Sequence, residues 1–231
     1  MTNPFAVALS GADAASFQVP VLFVALPSGA SLPATLSSLD NAVGGAISAA
    51  LRERDFRGSR DEILFLSGSA NGPRRVALIG TESPPNGTHN LRRAAALAAR
   101  TAAKMGTGSL AFTGDSFAPE QIEAIACGLH SGAWQYLDTR TPPPENERKA
   151  PVASATICAP VTPDMQAALA NGNAIGAGMS LARTLGMTPG NICTPDLLAA
   201  AARDVATRYG MRYTELDRAG LTAEKMGSFL A

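Results

Sequence analysis

Short apolar runs alternate, along this chain of 231 residues, with longer stretches in which apolar residues recur every third or fourth position. Residues 5–9 and 19–26 are apolar runs bounded by Gly, Ser and Pro, and they read as strands. Next come Leu39, Ala42, Val43, Ala46, Ile47, Ala50 and Leu51, the spacing of one helix face, with Ser38 placed as its N-cap. Residues 63–66 and 76–79 are two further strands. The Gly68-Ser69-Ala70-Asn71-Gly72-Pro73 link between them makes an antiparallel hairpin. A helix is expected over 90–105, stopped by Gly106, then a strand at 110–113. Pro119 opens a helix whose Ile122, Ile125, Ala126, Leu129, Ala133 and Leu137 share a face.

Residues 139–150 hold Pro142, Pro143, Pro144 and five charges and read as an exposed loop before a strand at 152–159. A long helix is expected over 164–185, followed by a loop with Pro189, Gly190 and Asn191. Thr194-Pro195-Asp196 then supplies N-cap, first-turn proline and acid for a helix that buries Leu198, Ala201, Ala202, Val205 and Tyr209. Residues 211–216 read as a strand, 222–226 as a short helix, and 228–231 as the start of another strand. Interleaved strands and helices predict an α/β fold, a mixed sheet flanked by helices. The pattern divides at the long helix. About forty residues beyond it are too few for a core of their own, so the chain reads as a fragment.

Composition narrows the function classes. Hydrophobic residues are 46% and charged residues 16%, which excludes a disordered chain; aromatics are only 5%, so the core rests on Ala, Val, Leu and Ile. Nineteen basic residues balance nineteen acidic ones, giving no net pull toward nucleic acid or anionic lipid. Cys127, Cys158 and Cys193 are odd in number and widely spaced, as reduced thiols of a cytoplasmic protein would be. No signal peptide is read at the N-terminus, and no apolar run approaches the ~20 residues that span a bilayer.

Candidate chemistry is sparse. His89 and His130 have no carboxylate or thiol at ligand spacing, and a metal site needs three or four converging donors. Gly172, Gly176 and Gly178 do not form G-x-G-x-x-G after a strand, so they read as a small-residue helix face for close packing. Ser131 and Ser180 fall in helices, and no G-x-S-x-G elbow is present. Cys193 lies beside a helix N-terminus without a histidine near it in sequence and reads as structural. Arg52, Arg54, Arg57 and Arg60 are interleaved with Glu53, Asp55, Asp61 and Glu62, the mark of a solvated surface. Gly80 and Gly114 follow strands, without the run of glycines that cradles a phosphate. The residues themselves give no catalytic, cofactor-binding or metal-binding position.

One segment is more specific. Met187-Thr188-Pro189-Gly190-Asn191-Ile192-Cys193-Thr194-Pro195 resembles the N-x-P-x-N-x-x-T-P loop of the leucyl aminopeptidase (cytosol aminopeptidase, M17 metallopeptidase) family, with Met187 in place of the first Asn. Tyr213-Thr214-Glu215-Leu216-Asp217, then Leu221 and Lys225-Met226-Gly227-Ser228-Phe229-Leu230-Ala231, look like the family's next strand, helix and gmg-x-hLAV entry after that loop. Leu39-Asp40 opening a helix and residues 75–80 as a central strand fit its N-terminal part. The resemblance implies a macro-like N-terminal domain at 1–162, a linker helix and hinge loop at 163–190, and the truncated start of a peptidase domain at 191–231. It implies an enzyme that removes N-terminal residues, Leu by preference, from peptides with two divalent metals, zinc or manganese, and that assembles as a homo-hexamer in the cytoplasm. The family's metal ligands lie in motifs resembling GKGxTFDxGG and NTDAEGR. Neither string occurs in this sequence, so the chain is expected to bind no metal, to be inactive alone, and to serve assembly and access control. The alternative is a stand-alone macro-like module binding ADP-ribose or DNA.

Overall fold

The computed structural model describes residues 5–82 and 87–230. By internal contacts it divides into a unit of residues 1–181 and a unit of residues 182–231.

The first unit is built on a six-stranded sheet of order β1-β6-β5-β2-β4-β3, from β1 (Ala6–Ser10), β2 (Leu22–Leu26), β3 (Ile63–Ser67), β4 (Arg75–Gly80), β5 (Thr107–Thr113) and β6 (Ala150–Cys158). All neighbours run parallel except β3 and β4, which form the expected antiparallel hairpin with Leu64 opposite Leu78. A buried parallel strand is apolar on both faces, and every residue of β2 is buried. The central place belongs to β2. The strand at 75–80, expected there, lies one position in from the β3 edge.

On one face lie α3 (Thr88–Met105), α4 (Pro119–Ala133) and the first part of α5 (Pro163–Met187); on the other lie α1 (Ser37–Ala42), α2 (Ala46–Arg52) and Phe56. The scarcity of aromatics explains how α3 and α4 meet. The core side of α3 is Leu91 and six alanines. A Cβ built on Gly128 of α4 would stand 2.2 Å from the Arg92 carbonyl oxygen, and one on Gly132 would stand 2.1 Å from that of Ala96. With side chains this small the two backbones touch, and the ordinary helix spacing of 8–10 Å closes toward its lower limit. Helix α5 repeats the device against α4: a Cβ on Gly172 would meet the Ala126 Cβ at 2.7 Å, and one on Gly176 the His130 ring at 2.5 Å. Gly178, grouped with these two in the sequence, faces open space instead.

Two expectations fail in this unit. The helix expected from Leu39 to Leu51 is two helices, broken where Gly44 and Gly45 take φ of 69° and 77°, a left-handed conformation natural only to glycine. Ser38 does not cap it; its hydroxyl donates to the Asp13 carboxylate, 2.8 Å away. The cap of the second half is the buried Asp40, whose Oδ1 accepts from the Ile47 and Ser48 amides at 2.8 and 3.1 Å. Helix α4 ends at Ala133 because Trp134 turns extended, which leaves Leu137 outside the helix and 52% exposed.

The second unit holds the end of α5, α6 (Pro195–Arg208) and α7 (Arg218–Ala223). Thr194 caps α6 as expected, accepting from the Leu197 amide. The expected strand at 211–216 is not formed. A strand needs a partner's amides and carbonyls, and this segment is tied to α6 instead: the Tyr213 hydroxyl donates to the Ala199 carbonyl at 3.0 Å, and Glu215 pairs with Arg203. The bond donated by Arg203, with a share of the Tyr213 hydroxyl proton, holds the Glu215 carboxyl below its usual range. The short helix expected at 222–226 sits earlier, at α7, capped by Asp217. Residues 227–229 form a 3₁₀ turn where a strand was expected to start; Ala231 lies outside the described residues. Nor is the expected face of α6 buried: Leu198 is 46% and Tyr209 63% exposed, and Ala206 is the buried residue among those described in this unit.

Candidate functional site

In open parallel sheets, ligands gather at the carboxyl ends of strands where neighbouring connections depart to opposite faces. In this sheet that place is the end of β2. The chain leaves β2 toward α1 and α2 on one face, whereas β4 and β5, on either side of it, lead to α3 and α4 on the other. A cleft of about 480 Å³ opens there. Ala25, Leu91 and Phe117 give it apolar surface; Ser28, Ser31, Thr81, Asp115 and Gln121 give it polar surface.

Most of those polar groups already serve the fold. The Ser28 hydroxyl donates to the Gly58 carbonyl at 3.0 Å. Asp115 accepts from the Thr35 hydroxyl at 2.9 Å, and the Gln121 side-chain oxygen accepts from the Ala118 amide at 2.8 Å, closing the start of α4. The described lining holds no His, Cys, Lys or Arg.

The residues singled out in the sequence are scattered. His89 is exposed in the first turn of α3, whereas His130 is buried in α4. The His130 Nε2 lies 3.0 Å from Asn173 Oδ1, and the Phe5 ring meets its imidazole edge-on with centroids 5.0 Å apart. Burial lowers the His130 pKa, partly offset by the Asn173 bond. All three cysteines are free thiols. Burial raises the Cys127 pKa and pushes that of Cys158 up to about 12, so both stay protonated and inert at neutral pH. Ser131 and Ser180 lie on helices α4 and α5. Arg52, Arg54, Arg57 and Arg60 are exposed, and Arg52 and Arg60 pair with Glu53 and Asp61. Gly80 and Gly114 are packing positions: a Cβ would meet the Ser59 carbonyl oxygen at 1.9 Å in the first and the Phe117 ring at 2.8 Å in the second. Sequence reasoning missed Gly128 and Gly132; their four-residue spacing on the buried face of α4 was the available signal.

The pattern of the cytosol aminopeptidase family's N-terminal domain matches residues 21–143, more than half of the chain. The chain belongs to the cytosol aminopeptidase family. Among relatives of this family member, a probable cytosol aminopeptidase of Synechococcus strain CC9605 is 33% identical over 225 residues, covering 96% of this chain and 45% of the relative. The cytosol aminopeptidase of Pseudomonas aeruginosa PAO1 is 30% identical over 229 residues, with 94% and 45% covered. The chain thus spans about half the length of the curated relatives it matches. In fold it is similar to a mutant of the tomato leucine aminopeptidase, with a TM-score of 0.72 at 24% identity over 91% of this chain and 44% of that one. It is also similar to a bottromycin maturation enzyme in complex with manganese, with a TM-score of 0.64 at 24% identity over 89% of this chain and 40% of that one.

Among the described residues of this aminopeptidase-family chain, no three His, Cys, Asp or Glu side chains come together to hold a metal ion. No described helix is long and apolar enough to cross a membrane.

Proposed function

We propose that this chain is the N-terminal, non-catalytic part of a cytoplasmic aminopeptidase that removes N-terminal residues, Leu by preference, from peptides. Two divalent metals, zinc or manganese, would supply a bridging hydroxide and polarise the scissile carbonyl, held by residues outside these 231. The N-terminal part serves assembly of a homo-hexamer and access to the active sites. Residues 1–162 form the assembly body, 163–190 the connection, and 191–231 the opening of the peptidase domain.

The observation that carries this reading is the family's N-terminal-domain pattern over 21–143, in a chain that covers 45% of the relative from Pseudomonas aeruginosa. The apolar surface of the second unit supports it. Leu198, Tyr209, Met211, Leu216 and Phe229 are each more than two-fifths exposed, which suits a segment that packs against more polypeptide.

The test uses the 231-residue protein, alone and joined to the C-terminal part of the Pseudomonas aeruginosa relative. Leucine p-nitroanilide hydrolysis and bound manganese and zinc are measured on both. The chain alone is expected to show neither hydrolysis nor stoichiometric metal, and the joined protein both. Hydrolysis or tight metal binding by the 231 residues themselves would refute the proposal.

A further inference from the structure

His130 sits where three elements meet. Its helix, α4, receives α5 through Gly172 and Gly176, and the Gly176 backbone lies directly on the imidazole: an added Cβ would stand 2.5 Å from Cγ and 2.6 Å from Cδ2. Asn173, on the same face of α5, places Oδ1 at 3.0 Å from His130 Nε2 and donates through Nδ2 to the Val7 carbonyl of β1 at 3.1 Å. That second bond fixes the amide's orientation: the nitrogen is committed to a carbonyl, so the oxygen faces the ring. The ring must then carry its proton on Nε2 when neutral. One histidine thus joins α4, α5 and β1 through a two-bond relay.

Few charges face this relay. On α4 the other ionisable side chains are Glu120, Glu123 and the buried thiol of Cys127, whose Sγ lies 3.6 Å from the Gly172 carbonyl oxygen. On α3, Arg92 reaches the Met179 sulfur of α5 with its guanidinium at 3.1 Å. Strand β1 and residues 165–182 of α5 contain no ionisable side chain. Among the described residues no carboxylate is bonded to the ring, so a second ring proton would place an uncompensated cation in a helix seam, 7% exposed.

We propose that His130 is a proton-operated latch: neutral, it clamps α5 onto α4 and β1, and on gaining a proton it releases α5 while the sheet and the α3–α4 pair stay folded. The sign follows from burial. The docked state holds the His130 pKa below the ordinary histidine value, so the released state binds the proton more readily. Docking is fully favoured above the ordinary value, about 6.5, and is lost as pH falls from there toward the docked value. The latch therefore makes the docking of residues 168–180 of α5 within the first unit sensitive to mild acid. This holds for the chain itself, whatever activity the full protein has.

The protein's own composition makes the test clean. It has two histidines, so the His130 ring signals are identified by their loss in His130→Gln. Histidine ring resonances and amide hydrogen exchange are followed together on the 231-residue protein from pH 8 to pH 4.5. His130 is expected to titrate below the ordinary histidine value, about 6.5. Protection of amides 168–180 is expected to fall about tenfold per pH unit between the ordinary and the docked value, the slope of one proton, while α3 and β2 keep theirs. His130→Gln, whose amide NH2 can replace Nε2–H without titrating, should abolish that pH dependence. Titration of His130 at or above the ordinary histidine value, loss of protection in α5 and β2 together, or an unchanged pH dependence in His130→Gln would each overturn the latch. The wild-type titration decides even if the variant does not fold.

Discussion

The two units treat the same kinds of residue in opposite ways. Up to residue 181, small residues are used to bring backbones into contact, and the resulting core is sealed: Phe23, Leu22, Leu78 and Phe112 are fully buried. From residue 182 onward the sequence is as amphipathic as before, yet Leu198, Met211 and Phe229 stay exposed, and side-chain bonds such as Tyr213 to Ala199 do the ordering. Amphipathic patterning records what a segment is meant to bury against, and in the second unit Leu198, Met211 and Phe229 keep that surface exposed. This is why we propose further polypeptide as its partner.

Truncations sharpen that contrast most strongly. Phe23→Ala, in the middle of β2, is expected to cost about 4 kcal/mol, whereas Leu198→Ser in α6 should change the stability of the isolated chain by less than about 0.5 kcal/mol. Urea unfolding of the two variants measures both; comparable losses would show that α6 buries its face after all. Overpacking comes next. Gly128→Leu, against the Arg92 carbonyl, should cost about 3 kcal/mol, and Gly178→Ala, where a Cβ meets nothing within 4 Å, should instead stabilise by about 0.5–1 kcal/mol through helix propensity. Thermal melts of the pair separate a packing glycine from an incidental one. Asp40→Ala removes the acceptor for the Ile47 and Ser48 amides and is expected to cost about 1–2 kcal/mol, read in the same urea experiment.

Much of the first unit was legible because its signals are local. The 63–66 and 76–79 strands announced their hairpin through the Gly-Pro turn, and Gly106 marked the end of α3. The close-packing role of Gly172 and Gly176 was also readable from their spacing. Failures came where a long-range demand overrode local pattern. The apolar period from Leu39 to Leu51 continues through Gly44-Gly45, and Asp40, read as opening that helix, gave no sign that its carboxylate restarts it after the break. Leu137 fits the face of α4, yet the chain has to turn back toward β6 before reaching it. Residues 211–216 alternate like a strand, but strand formation depends on a neighbour the pattern does not contain. The cleft at the end of β2 was not legible, since its residues, mostly from loops, are brought together only by strand order.

Hydrogen exchange on the isolated chain, compared with the chain joined to the C-terminal part of the Pseudomonas aeruginosa relative, tests the central claim most directly. The account predicts that amides of β2, α3 and α4 are equally protected in both proteins, while those of α6 and α7 are exposed in the first and become at least about a hundredfold more protected in the second, a coupling of about 2.7 kcal/mol. Strong protection of α6 in the isolated chain, unchanged on joining, would contradict it.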